Sequence, residues 1–272
     1  MKITKRYCRL IIHFKFFYIL KNIHMVLFFN IFFFNYFLKA DQPISGYEFA
    51  EPSTQKIQDD EFLNPGFLWV ERGKKLWKKM YGRKQKSCQN CHGDLKTMKG
   101  VSLKFPTVYK NTNKLINLEQ QINICRKEKM QAENFKPEDK DLLSLSVAIS
   151  NQSKGLKQNL DVNNKNAIWF QLGKKLYFKK IGQMGLACNQ CHDERVGMNL
   201  RAEKVSQGQI NGFPAYLLRW SKLVSVHRRI QYCNEQARAK PFKIFSDEYN
   251  AIQLYLTKRG EGLKIESPSV RK

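Results

Sequence analysis

The stretches Cys88-Gln-Asn-Cys91-His92 and Cys188-Asn-Gln-Cys191-His192 are two copies of one motif, C-x-x-C-H. This motif is typical of covalent attachment of a c-type haem. Its two cysteines bond to the porphyrin, and the adjacent histidine binds the iron from one face. The sequence therefore predicts two c-type haems, one on each cysteine pair, with His92 and His192 as the first axial ligands.

A zinc site and a redox dithiol are the other common uses of C-x-x-C. Zinc ribbons place their two pairs about 15–20 residues apart, and thioredoxin-type motifs need a βαβ setting. Here Cys91 and Cys188 are far more widely separated, and no βαβ pattern surrounds either pair. The histidine that follows directly in both copies favours haem.

The sequence around the two motifs is repeated. Gly73-Lys74-Lys75-Leu76 precedes Cys88 at the same distance at which Gly173-Lys174-Lys175-Leu176 precedes Cys188. Self-similarity at a fixed spacing indicates duplicated structural units. We predict a mostly α fold with two tandem class I cytochrome c-like domains, at 41–155 and 156–272, each with one covalent haem.

Apolar residues at helical spacing predict one amphipathic helix before each motif, with Gly82 and Gly182 as C-terminal stops. The polar stretch 150–166 is interpreted as the linker between the domains. Ser246 is predicted to cap a last helix that ends near Gly260. Four further helices are expected, at 115–130, 138–149, 214–223 and 225–238.

The first 40 residues have the three parts of an export signal. Basic residues extend to Lys21, an apolar run covers 25–38, and Ala40 offers a small residue for cleavage. The run is shorter than the roughly 20 residues that cross a bilayer. We expect a cleaved signal and a periplasmic protein, with an uncleaved anchor as the alternative and Met25 as a possible true start.

The net charge of the chain is +25. So basic a chain suggests an anionic partner or substrate. Nucleic acid is not expected, because no nucleic-acid-binding motif is present and the lysines are scattered. A small oxyanion and an acidic protein both remain compatible with this charge.

Each motif is followed by one lone cysteine, Cys125 after the first and Cys233 after the second. Four residues of the exported part are candidates for the distal haem positions, namely Cys125, Met130, His227 and Cys233. A Cys125–Cys233 disulfide is the alternative in an oxidising compartment. The similar placement of the two cysteines in the two halves favours a role of each at its own haem. Met98 and Met198 are interpreted as packing residues.

The surroundings of the two lone cysteines differ. On a helix, Arg229 and Cys233 share one face, because they are four residues apart. A guanidinium there favours a thiolate and can bind an oxyanion with two hydrogen bonds. Arg126 and Lys127 follow Cys125 directly, and on a helix such neighbours do not share a face with the cysteine. Cys233 is therefore the candidate reactive centre, although an ordinary basic helix is the alternative.

The chain resembles SoxA, the dihaem subunit family of the SoxAX cytochromes of thiosulfate oxidation. The resemblance rests on both C-x-x-C-H motifs, the two trailing cysteines and the segment Arg-Arg-Ile-x-x-Cys-x-x-Gln-x-Arg at 228–238. It implies His92 and Cys125 as ligands of the first haem and His192 and Cys233 as ligands of the second. It also implies that Cys233 is the catalytic cysteine, present as a persulfide, and that Arg229 binds thiosulfate.

The activity implied by this resemblance is that of an L-cysteine S-thiosulfotransferase. Thiosulfate is joined oxidatively to a cysteine of the SoxYZ carrier protein, and electrons pass through haem to the monohaem partner SoxX and a soluble cytochrome c. The residues themselves leave two other functional classes open. One is a dihaem electron-transfer cytochrome c without substrate chemistry, and the other is a dihaem peroxidase-like enzyme, which needs an open iron.

Overall fold

The computed structural model describes residues 42–201 and 203–272, so the predicted export signal lies outside the described residues. Most of the regular structure is helical, as predicted. The α-helices are α1 Pro52–Asp59, α2 Gly66–Lys78, α3 Cys88–His92, α4 Leu118–Cys125, α5 Lys140–Asn151, α6 Ala167–Phe178, α7 Cys188–His192, α8 Val226–Gln236 and α9 Asp247–Arg259. The short strands are β1 Thr107–Tyr109, β2 Lys114–Ile116, β3 Asn199–Leu200, β4 Glu203–Lys204, β5 Ala215–Leu217, β6 Lys222–Val224 and β7 Ser269–Arg271.

A pair of crossed helices forms the frame of each half. Helix α2 packs on α5 in the first half, and α6 packs on α9 in the second. A glycine lies at each crossing point, where a Cβ on Gly73 or Gly173 would overlap the backbone oxygen of Ser144 or Ala251. Glycine is needed there because only a residue without a side chain lets the two backbones approach so closely.

The loop after each first helix is also duplicated. The helices end at Lys78 and Phe178, so the prediction that Gly82 and Gly182 stop them was wrong. Both glycines instead lie in a left-handed turn beyond the helix, at φ +70 and φ +67. That turn places its backbone against the chain that follows α4 or α8, and so it fixes the position of the helix that carries the lone cysteine.

Two β-hairpins connect the halves to each other. The β1–β2 hairpin brings Leu115 into a core cluster with Leu160 and Leu254, and the side chain of Asn250 donates to the Leu115 carbonyl at 2.9 Å. In the second half, the β5–β6 hairpin places Leu223 in the core of the first half. Each half therefore packs its hairpin against the other, and Pro43–Lys272 forms one compact unit.

The hairpins correct two helix predictions. The stretch 214–223 forms β5, a 3-10 turn and part of β6 rather than a helix, because β5 pairs with the distant C-terminal strand β7. Residues 115 and 116 belong to β2, so α4 begins only at Leu118, where Asn117 caps it by accepting from the amide of Gln120 at 2.9 Å. Local periodicity did not reveal either pairing.

The other helix predictions are confirmed within a few residues. Ser246 accepts from the Tyr249 amide and caps α9, which ends at Arg259 before Gly260.

The stretch 150–166 is packed against the C-terminal segment, since the backbone amide of Gln158 donates to the Leu263 carbonyl at 2.8 Å. Among the described residues, no helix combines the length and apolar character that crossing a membrane requires. The domain boundary at 155 stays a prediction.

Candidate haem and cysteine sites

The two C-x-x-C-H motifs form the short helices α3 and α7, each placed by its own cap. In the first, the Ser87 amide donates to Asn90 Oδ1 at 2.8 Å and the Asn90 amide donates back to Ser87 Oγ at 3.2 Å. In the second, the Ala187 amide donates to Gln190 Oε1 at 2.8 Å. A single helical turn brings the two cysteines and the histidine of each motif to neighbouring positions on one face of the chain.

The imidazole of His192 is held by the loop that follows it. Its Nδ1 lies 2.7 Å from the carbonyl oxygen of Ser206, which leaves Nε2 free to bind a metal. A Cβ on Gly208, at φ +71, would lie 2.9 Å from Cγ of this ring. The ring therefore rests in a cradle that any side chain at Gly208 would fill. Burial lowers the pKa of His192, and the charge of Arg229 acts in the same direction.

His92 is more exposed than His192. Its ring centroid lies 5.8 Å from that of Trp77, whose indole nitrogen donates to the Gly93 carbonyl at 2.9 Å. Trp77 thus fixes the end of α3 and flanks the histidine. The equivalent position in the second half is Tyr177, whose hydroxyl donates to Asp193 at 2.7 Å.

Each lone cysteine lies within electrostatic reach of the motif in its own half. Burial raises the pKa of Cys88 to about 11, and the negative charge of a Cys125 thiolate adds to that rise. Burial raises the pKa of Cys188 to about 12, with Cys233 as the second cause. All six cysteines in the described part of the chain are free. This placement favours two separate sites over the disulfide alternative.

Helix α8 carries the predicted reactive centre. Cys233 is exposed, and Arg229 lies one turn before it with its guanidinium 5.5 Å from the ring centroid of Tyr232. The neighbouring Arg228 is engaged differently, because it pairs with Glu235 at 3.0 Å and lies over the ring of Trp220. The charge of Arg229 instead reaches the His192 imidazole, whose pKa it helps to lower.

The other distal candidates lie in packed positions. Met130 is 3% exposed, and its backbone oxygen accepts from the Lys84 amide at 3.2 Å. His227 is fully buried, and its Nδ1 accepts from the Phe245 amide at 3.1 Å. Both residues are therefore buried and hydrogen-bonded within the protein. Met198 is 57% exposed and takes no part in a core cluster of the described residues.

A π-helix distinguishes the first half from the second. After Cys125 the chain takes one π-helical turn, Arg126–Met130, whereas α8 continues as an α-helix past Cys233. In each half, a residue in the left-handed conformation follows the lone cysteine, Gln131 after Cys125 and Arg238 after Cys233. The first half has one more residue in this interval than the second. An inserted residue is commonly accommodated as a π-bulge. The turn directs Arg126 inward, over the Phe135 ring at 3.6 Å.

Several positioning residues could not be recognised in the sequence. Arg259 donates to Asp193 at 2.7 Å and lies 4.6 Å from the ring centroid of Tyr177, so it ties the end of α9 to the second motif. Ser206 and Gly208 belong to a loop without regular structure. The alignment of Tyr177 with Trp77 in the repeat was the single available signal for any of them.

Comparison with known proteins identifies the family of the chain. The family described as SoxA/TsdA, cytochrome c domain, matches residues 72–158 and 172–265. The chain belongs to the SoxA family. The predicted family is thereby confirmed, and so are the cytochrome c domains of the fold prediction.

Relatives and a solved structure extend the match over most of the chain. The chain is 40% identical to the L-cysteine S-thiosulfotransferase subunit SoxA of Pseudaminobacter salicylatoxidans, over 85% of this chain and 82% of that protein. It is 37% identical to the SoxA subunit of Paracoccus pantotrophus, over 85% and 80%. The crystal structure of SoxXA from P. pantotrophus matches with a TM-score of 0.82 and 35% identity, covering 85% of this chain and 87% of that one.

Proposed function

We propose that this chain conjugates thiosulfate oxidatively to a cysteine thiol of a carrier protein, with Cys233 as the reacting sulfur. The observation that carries the proposal is the arrangement on α8, where Cys233 lies one turn from Arg229 and within electrostatic reach of Cys188. Membership of the family of L-cysteine S-thiosulfotransferase subunits confirms the predicted enzyme class. It favours this function over electron transfer alone.

The residues present fit two c-type haems. Cys88 and Cys91 would hold the first, and Cys188 and Cys191 the second. The cradle that Gly208 leaves for the His192 ring, with Nε2 unengaged by Ser206, suits an iron ligand. His92 and Cys125 are the proposed axial pair of the first haem, and His192 and Cys233 that of the second. When bound, the second haem supplies a one-electron acceptor next to the reacting sulfur.

Substrate binding follows from the charge on α8. Thiosulfate is a small dianion, and a guanidinium presents two parallel N–H donors that match its sulfonate oxygens. Arg229 would bind the sulfonate end, leaving the outer sulfur towards Cys233 one helical turn away. Arg228 is already paired with Glu235, which leaves Arg229 as the substrate cation of this pair.

The sulfur chemistry balances in two steps. The Cys233 thiolate and thiosulfate form one S–S bond and release two electrons, which leave singly to two molecules of oxidised cytochrome c. The carrier thiolate then attacks the outer sulfur by thiol–disulfide exchange, which releases the Cys233 thiolate and leaves S–S–sulfonate on the carrier. The net change consumes one thiol and one thiosulfate and yields one proton and two electrons. A persulfide on Cys233 would extend the same nucleophile by one sulfur.

The proposed partners follow from the electron and sulfur flow. A solved relative is a SoxXA complex, which supports a monohaem SoxX subunit as the heterodimer partner here. SoxYZ is the proposed sulfur carrier, and a soluble cytochrome c is the terminal acceptor. Covalent haem attachment and the signal-like residues 1–40 support a periplasmic location.

Replacing Arg229 tests the proposed substrate contact. We expect Arg229→Gln to raise KM for thiosulfate and to lower kcat/KM by about a hundredfold, because about 3 kcal/mol of charge-assisted hydrogen bonding is lost. Arg229→Lys keeps the charge but not the two-pronged geometry, and we expect roughly a tenfold loss. Steady-state reduction of cytochrome c with thiosulfate and a carrier thiol measures both effects.

Arg228→Gln is the matched control, since it removes the same charge from the adjacent residue of the same helix. Its guanidinium is held by Glu235 and Trp220. We expect kcat/KM to change less than about threefold, as is usual when a surface pair is lost. Equal losses in the Arg228 and Arg229 variants would refute a specific contact and leave only a general effect of charge.

A further inference from the structure

The residue one turn before the lone cysteine differs between the two halves. Helices α4 and α8 are equivalent, because each follows a hairpin and begins at a capping residue, Asn117 or Ser225. Gln121 on α4 occupies the place of Arg229 on α8. The two halves therefore present a neutral amide and a cation, respectively, to cysteines at equivalent positions of their helices.

Gln121 makes a direct contact with the lone cysteine of its half. Its Nε2 donates to Cys125 Sγ at 3.3 Å, and both side chains are partly buried. The turn from which Gln121 projects is fixed, because the Gln121 amide donates to the Asn117 carbonyl at 3.1 Å. The neighbouring Gln120 side chain also accepts from Asn250 of α9 at 2.9 Å. These two contacts fix the backbone of the turn that carries Gln121, and the hydrogen bond to Cys125 Sγ gives the direction of its side chain.

A hydrogen bond to a sulfur ligand changes the electron density on that sulfur. The donor withdraws charge from a thiolate, so that the thiolate stabilises ferric iron less, and the reduction potential of the metal rises. A neutral amide achieves this without the charge that attracts an anionic substrate. Arg229, at the equivalent place, is instead free to bind thiosulfate.

We propose that Gln121 is a positioning residue that orients the Cys125 sulfur as a ligand of the first haem and raises the reduction potential of that haem. The proposal rests on the haem and ligand assignment made under the proposed function. It gives the position one turn before the lone cysteine a different role in each half, a hydrogen bond to the sulfur in the first half and substrate binding in the second. It also predicts that the first haem accepts electrons more readily than its thiolate alone would allow.

Substituting Gln121 in the haem-loaded protein tests this role. Gln121→Met keeps the shape and removes the donor, and we expect the reduction equilibrium of the first haem to shift roughly three- to tenfold towards ferric, or about 30 to 60 mV at 59 mV per tenfold for one electron. Gln121→Glu replaces the donor with a carboxylate, and we expect a larger fall in the reduction potential of the first haem. Spectroelectrochemical titration measures both haems, and the second serves as an internal reference.

Gln55→Met is the control, because it removes an equivalent amide hydrogen bond, from Gln55 Nε2 to the Tyr47 carbonyl at 2.9 Å, on the distant helix α1. We expect it to change neither potential. Two haems per chain with an unchanged first potential in both Gln121 variants would overturn the role of Gln121 alone. A wild-type protein with one haem per chain, or without thiolate-type spectra from the first haem, would overturn the haem assignment as well.

Discussion

Replacing Cys233 with methionine is expected to lower thiosulfate-dependent turnover by more than about a thousandfold, which is the scale of losing a covalent nucleophile. Methionine keeps a sulfur that can bind iron but cannot form an S–S bond to thiosulfate. The substitution therefore separates the ligand role of Cys233 from its reactive role. Turnover is measured as cytochrome c reduction with thiosulfate and carrier thiol, and a pyridine haemochrome assay measures the haem content.

Cys125→Met is the matched control in the other half. It makes the same change at the equivalent position of α4, where no arginine precedes the cysteine by one turn. We expect it to alter the first haem's spectrum and to lower turnover by at most about tenfold, because no substrate bond is lost. Substantial turnover in Cys233→Met with both haems attached would contradict the reactive role of Cys233.

Gly173→Ala is expected to destabilise the protein by about 3 kcal/mol, at the upper end of what overpacking costs. Alanine is the better helix former by about 1 kcal/mol, so helix propensity alone predicts the opposite sign. The new Cβ would overlap the backbone oxygen of Ala251, where α6 crosses α9. For a chain of this size we expect a fall in Tm of roughly 6–12 °C, measured by thermal unfolding of the haem-loaded protein.

Lys174→Ala provides the control in the same helix, at an exposed neighbouring position. We expect its Tm to stay within about 2 °C of the wild type, since a surface substitution rarely exceeds 0.5 kcal/mol. An unchanged or raised Tm in Gly173→Ala would mean that the helices do not cross as closely as described. The equivalent Gly73→Ala offers an independent repeat of the test in the first half.

The repeat explains why so much of the fold could be predicted from one sequence. Helices α2 and α6 carry strong periodicity, and Ser246 is a side-chain cap that acts within its own turn. The hairpin β5–β6 was missed because its partner β7 lies about fifty residues away, and such pairing leaves no local pattern. Gly82 was misinterpreted for a related reason, since its contact with Met130 is a tertiary one.

The candidate site likewise combines features that the sequence shows with contacts that only the structure shows. The motif cysteines and histidines are contiguous in sequence, so their chemistry is visible without a structure. The relation of Arg229 to Cys233 follows from helical spacing alone. The contacts that orient them were not predictable, because Ser206 reaches His192 through an irregular loop and Arg259 reaches Asp193 from the last helix. The hydrogen bond from Gln121 to Cys125 likewise depends on side-chain geometry, which leaves no pattern in the sequence.

The most direct test of the central claim is the stoichiometry of electrons and sulfur in a single reaction. The haem-loaded chain, with its monohaem partner, is mixed with thiosulfate, carrier protein and oxidised cytochrome c. Cytochrome reduction is followed optically while intact-mass analysis follows the carrier. We predict two cytochromes reduced for each carrier cysteine that gains an S–S–sulfonate group. Cytochrome reduction without modification of the carrier would contradict the account.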